Sequence, residues 1–449
     1  MRAERLPEIV IRNFAHYHEQ LAAGETGLMP ESSIEPVTEV PHHEDLGEDL
    51  ADLGRETLGR TILLKLNGGL GTSMGLARAK SLLTVKNGLT FLDIIAGQAR
   101  HAGVPLVLMN SFSTRDDSLA ALAAHDDLPG DLPRDFLQHK VPKIRCDDLQ
   151  PATCERDPAL TWCPPGHGDL YTALVTSGML ATLLERGYRH AFVSNADNLG
   201  AVIEPAILGH MVRHGMPFLM EVAPRTAADR KGGHLARRPD GQLVLRELAQ
   251  CPDEDEAAFQ DIDRHRFFNT NNLWLDLSAL DRLLRARDGV LGLPMIRNAK
   301  TVDPRDPEST PVYQLETAMG SAIGVFEGAG AICIPPARFA PIKKTNDLLD
   351  VRSDSYVLTE GFEVIPNPRR TLGRAFIDLD PTYYRFVDDL EARFPAGPPS
   401  LIDCARLEVR GDIRFGAGVV LKGEVTMRND SDQQAVVSDG AEITGAWSG

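Results

Sequence analysis

The sequence predicts an α/β fold followed by a β-helical tail, and three features of the chain support this prediction. Strand-like and helix-like segments alternate from residue 60 onward, as they do in α/β sheets. A glycine-rich turn follows an early strand, at residues 67–73. Apolar residues recur every six positions between residues 407 and 443, which is typical of a β-helix.

The composition is that of a globular protein with enough apolar residues for a large core. The chain has 449 residues, of which 43% are hydrophobic and 25% are charged. This length predicts about three domains. We place an N-terminal helical arm at residues 1–58, the main α/β domain at 59–375 and the β-helix domain at 376–449.

Charge and cysteine content exclude several classes of partner and location. The formal net charge is −17, so the long-range field repels nucleic acid, and any polyphosphate must be bound by local cations. No window approaches the roughly 18 apolar residues of a membrane span, and the first residues hold no apolar stretch of signal-peptide length. The six cysteines are scattered without C-x-x-C pairs, which predicts reduced thiols in a cytoplasmic protein.

The first elements follow from periodicity. Residues 6–24 have helical periodicity, and an acidic, proline-containing stretch follows to about residue 60. Beyond it, TILLKL and VPLVLMNS have strand character, whereas LDIIAGQARHA and DSLAALAAH have helical character. These four segments predict the doubly wound start of an α/β sheet.

The most informative segment is the turn after the strand at residues 61–66, which begins with Asn67, Gly68 and Gly69. Glycine lets backbone N–H groups approach a phosphate closely, and we expect a helix start after the turn to add positive potential. The spacing matches neither a Walker loop nor G-x-G-x-x-G, because Met74 stands where the third glycine of that fingerprint belongs. Such a turn also joins strand to helix without binding a ligand, so phosphate binding needs further support.

The lysines supply part of that support. Only ten of the 47 basic residues are lysines, and we expect Lys80 and Lys86, which follow the glycine-rich turn, to reach it. A lysine ammonium is a compact charge that suits a single phosphate oxygen. The alternative is compositional drift that leaves a few lysines at random positions.

A second strand also ends in polar residues. Residues 191–194 have the character of a buried strand, and Asn195 and Asp197 follow it. Ligands bind at the carboxyl ends of strands in open α/β sheets, although Asp197 could instead cap the next helix. We expect residues 229–238 to form turns between antiparallel strands over this site.

The tail has a period of six residues. We expect each short strand to point one apolar residue inward, and alternating strands of a β-sandwich are the alternative. The apolar series continues in phase beyond Ser431 and consists of Leu407, Ile413, Val419, Val425, Val437 and Ile443.

Eight motifs occur in order over residues 66–349. They are LNGGLGTSMG, FLQHKVPK, WCPPGHGDLYTAL, SNADNLGA, RKGGHLA, FNTNNLWLDL, QLETAMGSAIGVF and RFAPIKKTNDLL. Together they resemble the UTP–glucose-1-phosphate uridylyltransferase (UDP-glucose pyrophosphorylase) family of the eukaryotic sequence type. The resemblance implies a GT-A-like (Rossmann-like) mixed-sheet nucleotidyltransferase core and a C-terminal left-handed β-helix.

The resemblance also implies a reaction and its site. UTP and glucose 1-phosphate would give UDP-glucose and pyrophosphate with Mg²⁺ as cofactor. Apart from the resemblance, the six-residue phase of the tail and the absence of charged residues at its inward positions predict that the tail packs or pairs subunits. Lys80, Lys343 and Asp197 would be catalytic, with Asp197 also binding the metal. The implied nucleotide-binding residues are Leu66, Asn67, Gly68, Gly69, Gln138, Gly166 and Asn195, with Gln138 and Gly166 at the uracil edge. The implied sugar-phosphate-binding residues are His167, Lys231, Gly233, Asn271 and Glu316.

Two departures from the family pattern bear on the choice of substrates and not on the type of reaction. Lys344 stands where threonine commonly follows the family's second phosphate-binding lysine, and Pro336 stands where arginine is frequent. One alternative is therefore a relative that acts on another sugar or cyclitol 1-phosphate, with GTP. A second is a catalytically silent homologue that binds a nucleotide sugar. A nicotinamide-dependent dehydrogenase ranks last because the fingerprint spacing fails.

Overall fold

The computed structural model describes residues 1–449, apart from the side chain at position 228. None of the helices in this described part combines the length and apolar character needed to cross a bilayer. The α-helices are α1 (Glu8–Ala22), α2 (Glu48–Thr57), α3 (Phe91–Ala102), α4 (Arg115–Leu122), α5 (Leu170–Thr176), α6 (Met179–Glu185), α7 (Pro205–Arg213), α8 (Glu256–Phe259), α9 (Leu277–Ala286), α10 (Thr345–Arg352), α11 (Pro381–Tyr384) and α12 (Val387–Arg393).

The strands are short in the loops around the site and longest in the central sheet and the tail. They are β1 (Glu35–Pro36), β2 (Thr61–Asn67), β3 (Thr84–Lys86), β4 (Leu89–Thr90), β5 (Leu106–Asn110), β6 (Asp135–Leu137), β7 (Val141–Pro142), β8 (Ile144–Arg145), β9 (Trp162–Cys163), β10 (His190–Asn195), β11 (Phe218–Pro224), β12 (His234–Arg237), β13 (Leu243–Arg246), β14 (Phe267–Asp276), β15 (Ile296–Thr301), β16 (Pro311–Glu316), β17 (Gly330–Cys333), β18 (Tyr356–Leu358), β19 (Val364–Pro366), β20 (Phe376–Leu379), β21 (Cys404–Arg410), β22 (Ile413–Phe415), β23 (Val420–Arg428), β24 (Ala435–Val437) and β25 (Glu442–Ser448).

A ten-stranded mixed sheet forms the centre of the molecule, with the order β1-β12-β14-β10-β2-β5-β6 along its main path. Strands β10, β2, β5 and β6 are parallel neighbours, whereas β14 runs antiparallel to β10. Strands β11, β13 and β17 complete the sheet beside this path. The α/β prediction with a central mixed sheet is therefore confirmed.

Strand β2 is buried on both faces of the sheet. Ile62 and Leu64 pack into one hydrophobic cluster, whereas Leu63 packs into the other. The first cluster includes buried residues of α5 and α9, and the second includes the buried face of α3. A parallel strand covered on both sides needs such a continuous apolar run, which is why TILLKL lacks the alternation of an exposed sheet.

The N-terminal segment is attached to the main domain at several points. Strand β1 adds an edge to the central sheet by pairing with β12, Glu35 beside Arg237. Helices α2 and α7 touch through glycines, because a Cβ on Gly54 would lie 1.8 Å from the Pro205 carbonyl oxygen. The segment at residues 1–58 is thus helical for much of its length but also supplies one strand.

The expected helix start directly after the glycine-rich turn is wrong. One short 3-10 turn, Thr72–Met74, ends the glycine-rich turn, a second, Lys80–Leu82, follows it, and the hairpin of β3 and β4 comes next. The first α-helix after the turn is α3, whose capping box uses Thr90 and Asp93. Any positive potential at the turn must therefore come from its own N–H groups and from lysine side chains.

The tail consists of parallel strands, unlike the antiparallel sheets of a sandwich. Strands β20, β21, β23 and β25 form one sheet, and β22 pairs with β24. Leu407 lies beside Val425, three six-residue repeats later in the chain.

Two details of the tail prediction are wrong. Strands β21 and β23 each bury more than one apolar residue: Leu407 and Val409 in β21, and Leu421, Val425 and Met427 in β23. The phase also shifts after Ser431, because Val437 pairs with Phe415 and not with Ile413. Residues inserted in the loop before β24 offset the repeat, which the sequence pattern alone did not reveal.

Candidate active site

A cleft of about 700 Å³ opens at the carboxyl ends of β2 and β10. These two strands are parallel neighbours, and Asn195 pairs with Leu66, so the glycine-rich turn and the residues after β10 meet at one edge of the sheet. The sequence-predicted residues that line this cleft are Leu66, Asn67, Gly68, Gly69, Lys80, Gln138, His167, Asn195, Asp197 and Lys343.

Two lysines from distant segments converge on one carboxylate in this cleft. Asp197 Oδ2 accepts from Lys80 Nζ at 2.7 Å and from Lys343 Nζ at 3.0 Å. Burial opposes ionisation of Asp197, but the two ammonium groups outweigh that effect and lower its pKa. The other carboxylate oxygen, Oδ1, is buried and meets no donor in the described part of the chain. An orphaned carboxylate oxygen of this kind fits a hard divalent cation.

The capping interpretation of Asp197 is wrong. The next α-helix is α7, and its first N–H groups are capped by the Glu204 side chain. Across the described residues, no group of three or more histidine, cysteine, aspartate or glutamate side chains gathers around a single point. A cation at Asp197 would thus take most of its ligands from substrate phosphates and water.

A buried ion pair fixes the segment that leads to Lys343. Glu221 on β11 accepts from the Arg338 guanidinium at 2.7 and 3.1 Å, and also from Trp274 Nε1 at 2.9 Å. Farther along the segment, the Ile342 N–H donates to the Asp197 carbonyl at 3.1 Å. Glu221 and Arg338 could not be predicted from the sequence, because no local motif links residues so far apart in the chain.

Lys65 and Lys86 serve the framework and do not line the cleft. Lys65 is fully buried under it, where Nζ donates to Ser194 Oγ at 2.7 Å, and burial lowers its pKa to about 7. Lys86 donates to carbonyls at the end of α10, including that of Val351 at 2.9 Å. The expectation that Lys86 reaches the glycine-rich turn is therefore wrong, since its ammonium satisfies a helix C-terminus instead.

The turn and Gln138 form one wall of the cleft. The Asn67 side chain donates inward to Asn110 Oδ1 at 2.7 Å, which fixes the start of the turn. A Cβ on Gly68 would lie 3.0 Å from Gln138 Oε1, so the glycine lets the amide pack closely against the turn. The Lys80 N–H donates to the Gly69 carbonyl at 3.1 Å and closes the turn around its glycines.

Asp169 ties the Gln138 segment to the His167 segment. Its buried carboxylate accepts from the His139 backbone N–H at 2.7 Å and from His139 Nδ1 at 2.9 Å. His139 Nε2 also meets Thr176 Oγ1 at 3.0 Å. Asp169 and His139 therefore set the position of Gln138 relative to the opposite wall, although neither was predicted to belong to the site.

The His167 ring lines the cleft and is held in one tautomer. Its Nδ1 accepts from the Met319 N–H at 3.0 Å, so the ring proton lies on Nε2. Burial, aided by the Lys343 charge, lowers the His167 pKa to about 4, and the ring is neutral at physiological pH. Gly166 is not among the residues that line the cleft. It lies against Thr317, whose carbonyl oxygen would be 2.4 Å from a Cβ.

The remaining sugar-phosphate candidates lie outside the cleft lining. Lys231 is exposed before β12, and Glu316 ends β16, where burial raises its pKa. Asn271 lies in a bulge of β14, because Glu221 pairs with Asn272 and Val222 with Asn269. It has a positive φ of 59° and accepts from Asn269 Nδ2 at 2.9 Å. Bulges often re-aim side chains beside binding sites.

Glu247 is a further candidate that the sequence analysis missed. A Cβ on Gly233 would lie 2.4 Å from Glu247 Oε2, so this glycine lets the carboxyl group pack against the β12 turn. Burial raises the pKa of Glu247 to about 7. The only sequence signal was a lone glutamate after a strand-like LVLR run, and a glutamate in that position is more often exposed to solvent.

Comparison with known proteins identifies the family. A family model described as UTP–glucose-1-phosphate uridylyltransferase matches residues 11–422. The chain belongs to this family. A UTP–glucose-1-phosphate uridylyltransferase of Solanum tuberosum is 41% identical over 434 residues, covering 94% of this chain and 88% of the relative. The enzyme of the same name from Saccharomyces cerevisiae is 39% identical over 399 residues, covering 86% and 76%.

Solved structures agree with this family assignment. A variant of UDP-glucose pyrophosphorylase from Leishmania major in complex with UDP-glucose has 44% identity and a TM-score of 0.90, covering 100% of this chain and 98% of that one. A second variant of the Leishmania enzyme reaches a TM-score of 0.93 at the same identity and coverage. The α/β core of the present chain is therefore that of the UTP–glucose-1-phosphate uridylyltransferase family.

Proposed function

We propose that the chain is a nucleotidyltransferase that joins UTP and glucose 1-phosphate into UDP-glucose and pyrophosphate. The observation that carries this proposal is the convergence of Lys80 and Lys343 on Asp197, beside the glycine-rich turn. The relatives are named for the same reaction, and the Leishmania enzyme was solved with UDP-glucose. A pure binding protein has no need for two ammonium groups around a single buried carboxylate.

The chemistry is an in-line displacement at the α-phosphorus of the nucleotide. An anionic oxygen of the sugar phosphate attacks, a new oxygen–phosphorus bond forms, and the bond to pyrophosphate breaks. The nucleophile is already an anion, so no general base is required. Lys80 and Lys343 exchange contacts with Asp197 for contacts with phosphate oxygens, and they stabilise the charge that builds up in the transition state.

The residues on the two walls orient the substrates. We assign the uracil edge to the Gln138 amide and to the backbone at Gly166, and the triphosphate to the N–H groups of the turn. The Nε2–H of His167 donates to the sugar phosphate. Lys231, Gly233, Asn271 and Glu316 contact glucose and its phosphate from the β12 and β14 side, with Glu247 as a further hydroxyl acceptor.

Mg²⁺ is the proposed cofactor, and Asp197 would hold it through Oδ1. When bound, the ion would neutralise phosphate charge near the reacting phosphorus. Asp197→Asn keeps the shape of the side chain but removes its charge. We expect the half-saturating Mg²⁺ concentration to rise at least about tenfold in calorimetric titrations with UTP present. An unchanged Mg²⁺ affinity would assign the metal elsewhere.

The substrates are tested with a panel. Each of UTP, GTP, ATP and CTP is combined with glucose, galactose and mannose 1-phosphates and an inositol 1-phosphate, and pyrophosphate release is measured. We expect UTP with glucose 1-phosphate to exceed the GTP and ATP reactions in kcat/KM by at least about tenfold. A preference for GTP or for the cyclitol phosphate would support the alternative that Lys344 and Pro336 favour. No turnover with any pair would indicate a silent homologue.

We further propose the finer features of architecture and location. The domain boundaries fall near residues 58 and 375, the core is GT-A-like, and the tail is a left-handed β-helix that pairs subunits. Leu407 pairs in parallel with Val425, which lies three six-residue repeats later in the chain, and this pairing supports the β-helix. A cytoplasmic location is supported by the six cysteines, which are all free thiols.

A further inference from the structure

A second cleft, of about 830 Å³, adjoins the first and shares Lys343 with it. It lies between the glycine-rich turn and the chain around α11. Its polar lining includes Ser73 from the turn, Lys344 and Arg385. None of these three side chains has a place in the mechanism described above, and Lys344 is the residue that departs from the family pattern.

The cations of the second cleft have no carboxylate partner. Lys343 pairs with Asp197, but among the described residues no carboxylate lies within ion-pair distance of Lys344 Nζ or of the Arg385 guanidinium. The cleft contains one carboxylate, Asp378, and Arg410 already binds it. In a chain with a net charge of −17, this leaves a local positive patch that fits a polyanion.

The backbone directs the side chains of the two adjacent lysines to opposite sides. The N–H groups of Lys343 and Lys344 both donate to Asp347 Oδ2, each at 2.9 Å, which fixes them at the start of α10. Lys344 has an extended backbone, with φ −134° and ψ 167°. Successive side chains of extended backbone point to opposite sides, so Lys343 faces Asp197 while Lys344 faces the second cleft.

We propose that Lys344, Arg385 and Ser73 form the subsite for the pyrophosphate part of the nucleotide. This inference rests on the proposed function. In an in-line displacement the leaving oxygen lies opposite the attacking one. His167, on the sugar-phosphate side, lines only the first cleft, and Lys343 forms the wall between the two. The leaving group therefore departs past Lys343 into the second cleft.

The charge balance of the step agrees with this assignment. As the oxygen–phosphorus bond to the sugar phosphate forms, the bond between the α-phosphorus and the bridging oxygen breaks. The electron pair of the broken bond leaves with pyrophosphate, which gains negative charge. In this assignment Lys344 and Arg385 contact the departing pyrophosphate. Their charge-assisted hydrogen bonds to its phosphate oxygens are stronger than hydrogen bonds between neutral groups.

The test is the reverse reaction, from UDP-glucose and inorganic pyrophosphate, in the full-length chain. Lys344→Thr, Arg385→Gln and the double variant are compared with the wild type. We expect the double variant to raise KM for pyrophosphate roughly tenfold and to weaken product inhibition by pyrophosphate in the forward direction to the same degree. KM for UDP-glucose should change by less than about twofold, because this substrate lacks the leaving group.

Controls separate a local subsite from general electrostatics. Lys422→Thr removes an equal charge from the tail surface, where Lys422 pairs with Glu442, and should leave both KM values unchanged. Lys344→Arg keeps the positive charge, so its KM for pyrophosphate should stay near that of the wild type, unlike that of Lys344→Thr. An unchanged KM for pyrophosphate in the double variant, or an equal rise in KM for UDP-glucose, would overturn the assignment.

Failure of the proposed function would give a different result. A wild-type chain that does not turn over UDP-glucose with pyrophosphate contradicts the proposed function. In that case calorimetric titration of inorganic pyrophosphate into the wild type and the double variant still decides the subsite. Weaker binding in the variant supports it, and equal binding overturns it.

Discussion

Beneath the active site the central sheet buries charged side chains, whereas the tail buries almost only apolar ones. Lys65 and Glu221 are 0% exposed and Arg338 is 6% exposed, all within one layer under the cleft. In the tail, Val409, Val425 and Met427 are 0% exposed, and Asn429 is the main polar exception. Burying a charge costs desolvation energy, so the charged layer under the cleft positions the site residues but lowers the stability of the fold. The apolar core of the tail, in contrast, stabilises the fold.

The largest expected effect comes from leaving one buried charge of the central sheet without its partner. Arg338→Met removes the guanidinium that Glu221 accepts from at 2.7 Å. We expect the free energy of unfolding to fall by about 3–5 kcal/mol, because the remaining carboxylate stays buried. Chemical denaturation monitored by fluorescence measures this change.

The matched control is an exposed arginine pair. Arg285→Met breaks an ion pair with Asp281 in which the arginine side chain is 78% exposed. Its effect on the free energy of unfolding should stay within about 0.5 kcal/mol. If Arg338→Met and Arg285→Met lower the free energy of unfolding equally, the buried Glu221–Arg338 pair is energetically no different from an exposed ion pair.

Substitution of Lys343, in the same region, is expected to lower activity without lowering stability. Its side chain is 56% exposed, so Lys343→Ala should leave the thermal unfolding midpoint nearly unchanged. The loss of one cation at the transition state should lower kcat roughly a hundredfold. Stopped assays of UDP-glucose formation, with Lys422→Ala as the control, measure the change. Near-normal turnover in a folded variant would remove Lys343 from the mechanism.

The parts of the site that the sequence predicted are those where one short segment determines its own geometry. Strand β2 and the turn after it form a continuous motif, and the end of β10 is another. Because parallel neighbours bring their carboxyl ends to one edge, placing Asp197 beside Gly68 required only the α/β prediction. The resemblance to the family then connected Lys343 with them.

The parts that the sequence did not predict depend on contacts between distant segments. The Glu221–Arg338 pair spans two elements, and nothing local to either residue marks it. The bulge at Asn271 is a register shift between two strands, which a periodicity of two cannot reveal. The expected helix after the glycine-rich turn was wrong because packing, and not helix propensity, determines the chain between residues 72 and 90.

The tail offers the converse test, in which stability changes and activity does not. Val425 is fully buried in the tail, and Val425→Ala removes two methyl groups from that core. We expect the free energy of unfolding to fall by about 2 kcal/mol while kcat/KM changes by less than about twofold. Val436→Ala, at a position 57% exposed in the same tail, should have almost no effect on either quantity. A loss of activity in Val425→Ala would mean that the tail takes part in the chemistry.

The smallest expected effect concerns recognition of the base. It tests whether a residue that lines the cleft can affect base selection without affecting stability. Gln138 is only partly buried and packs against Gly68, so its removal should not alter folding stability measurably. The amide offers a donor and an acceptor side by side, which matches the uracil edge. Losing these paired hydrogen bonds should shrink the ratio of kcat/KM for UTP over GTP roughly tenfold in Gln138→Ala. Gln434→Ala, which removes an exposed amide of the tail, should leave the ratio unchanged. If the ratio survives in Gln138→Ala, base selection comes from the size of the pocket alone, and the Asp169–His139 contacts position the backbone and not the amide.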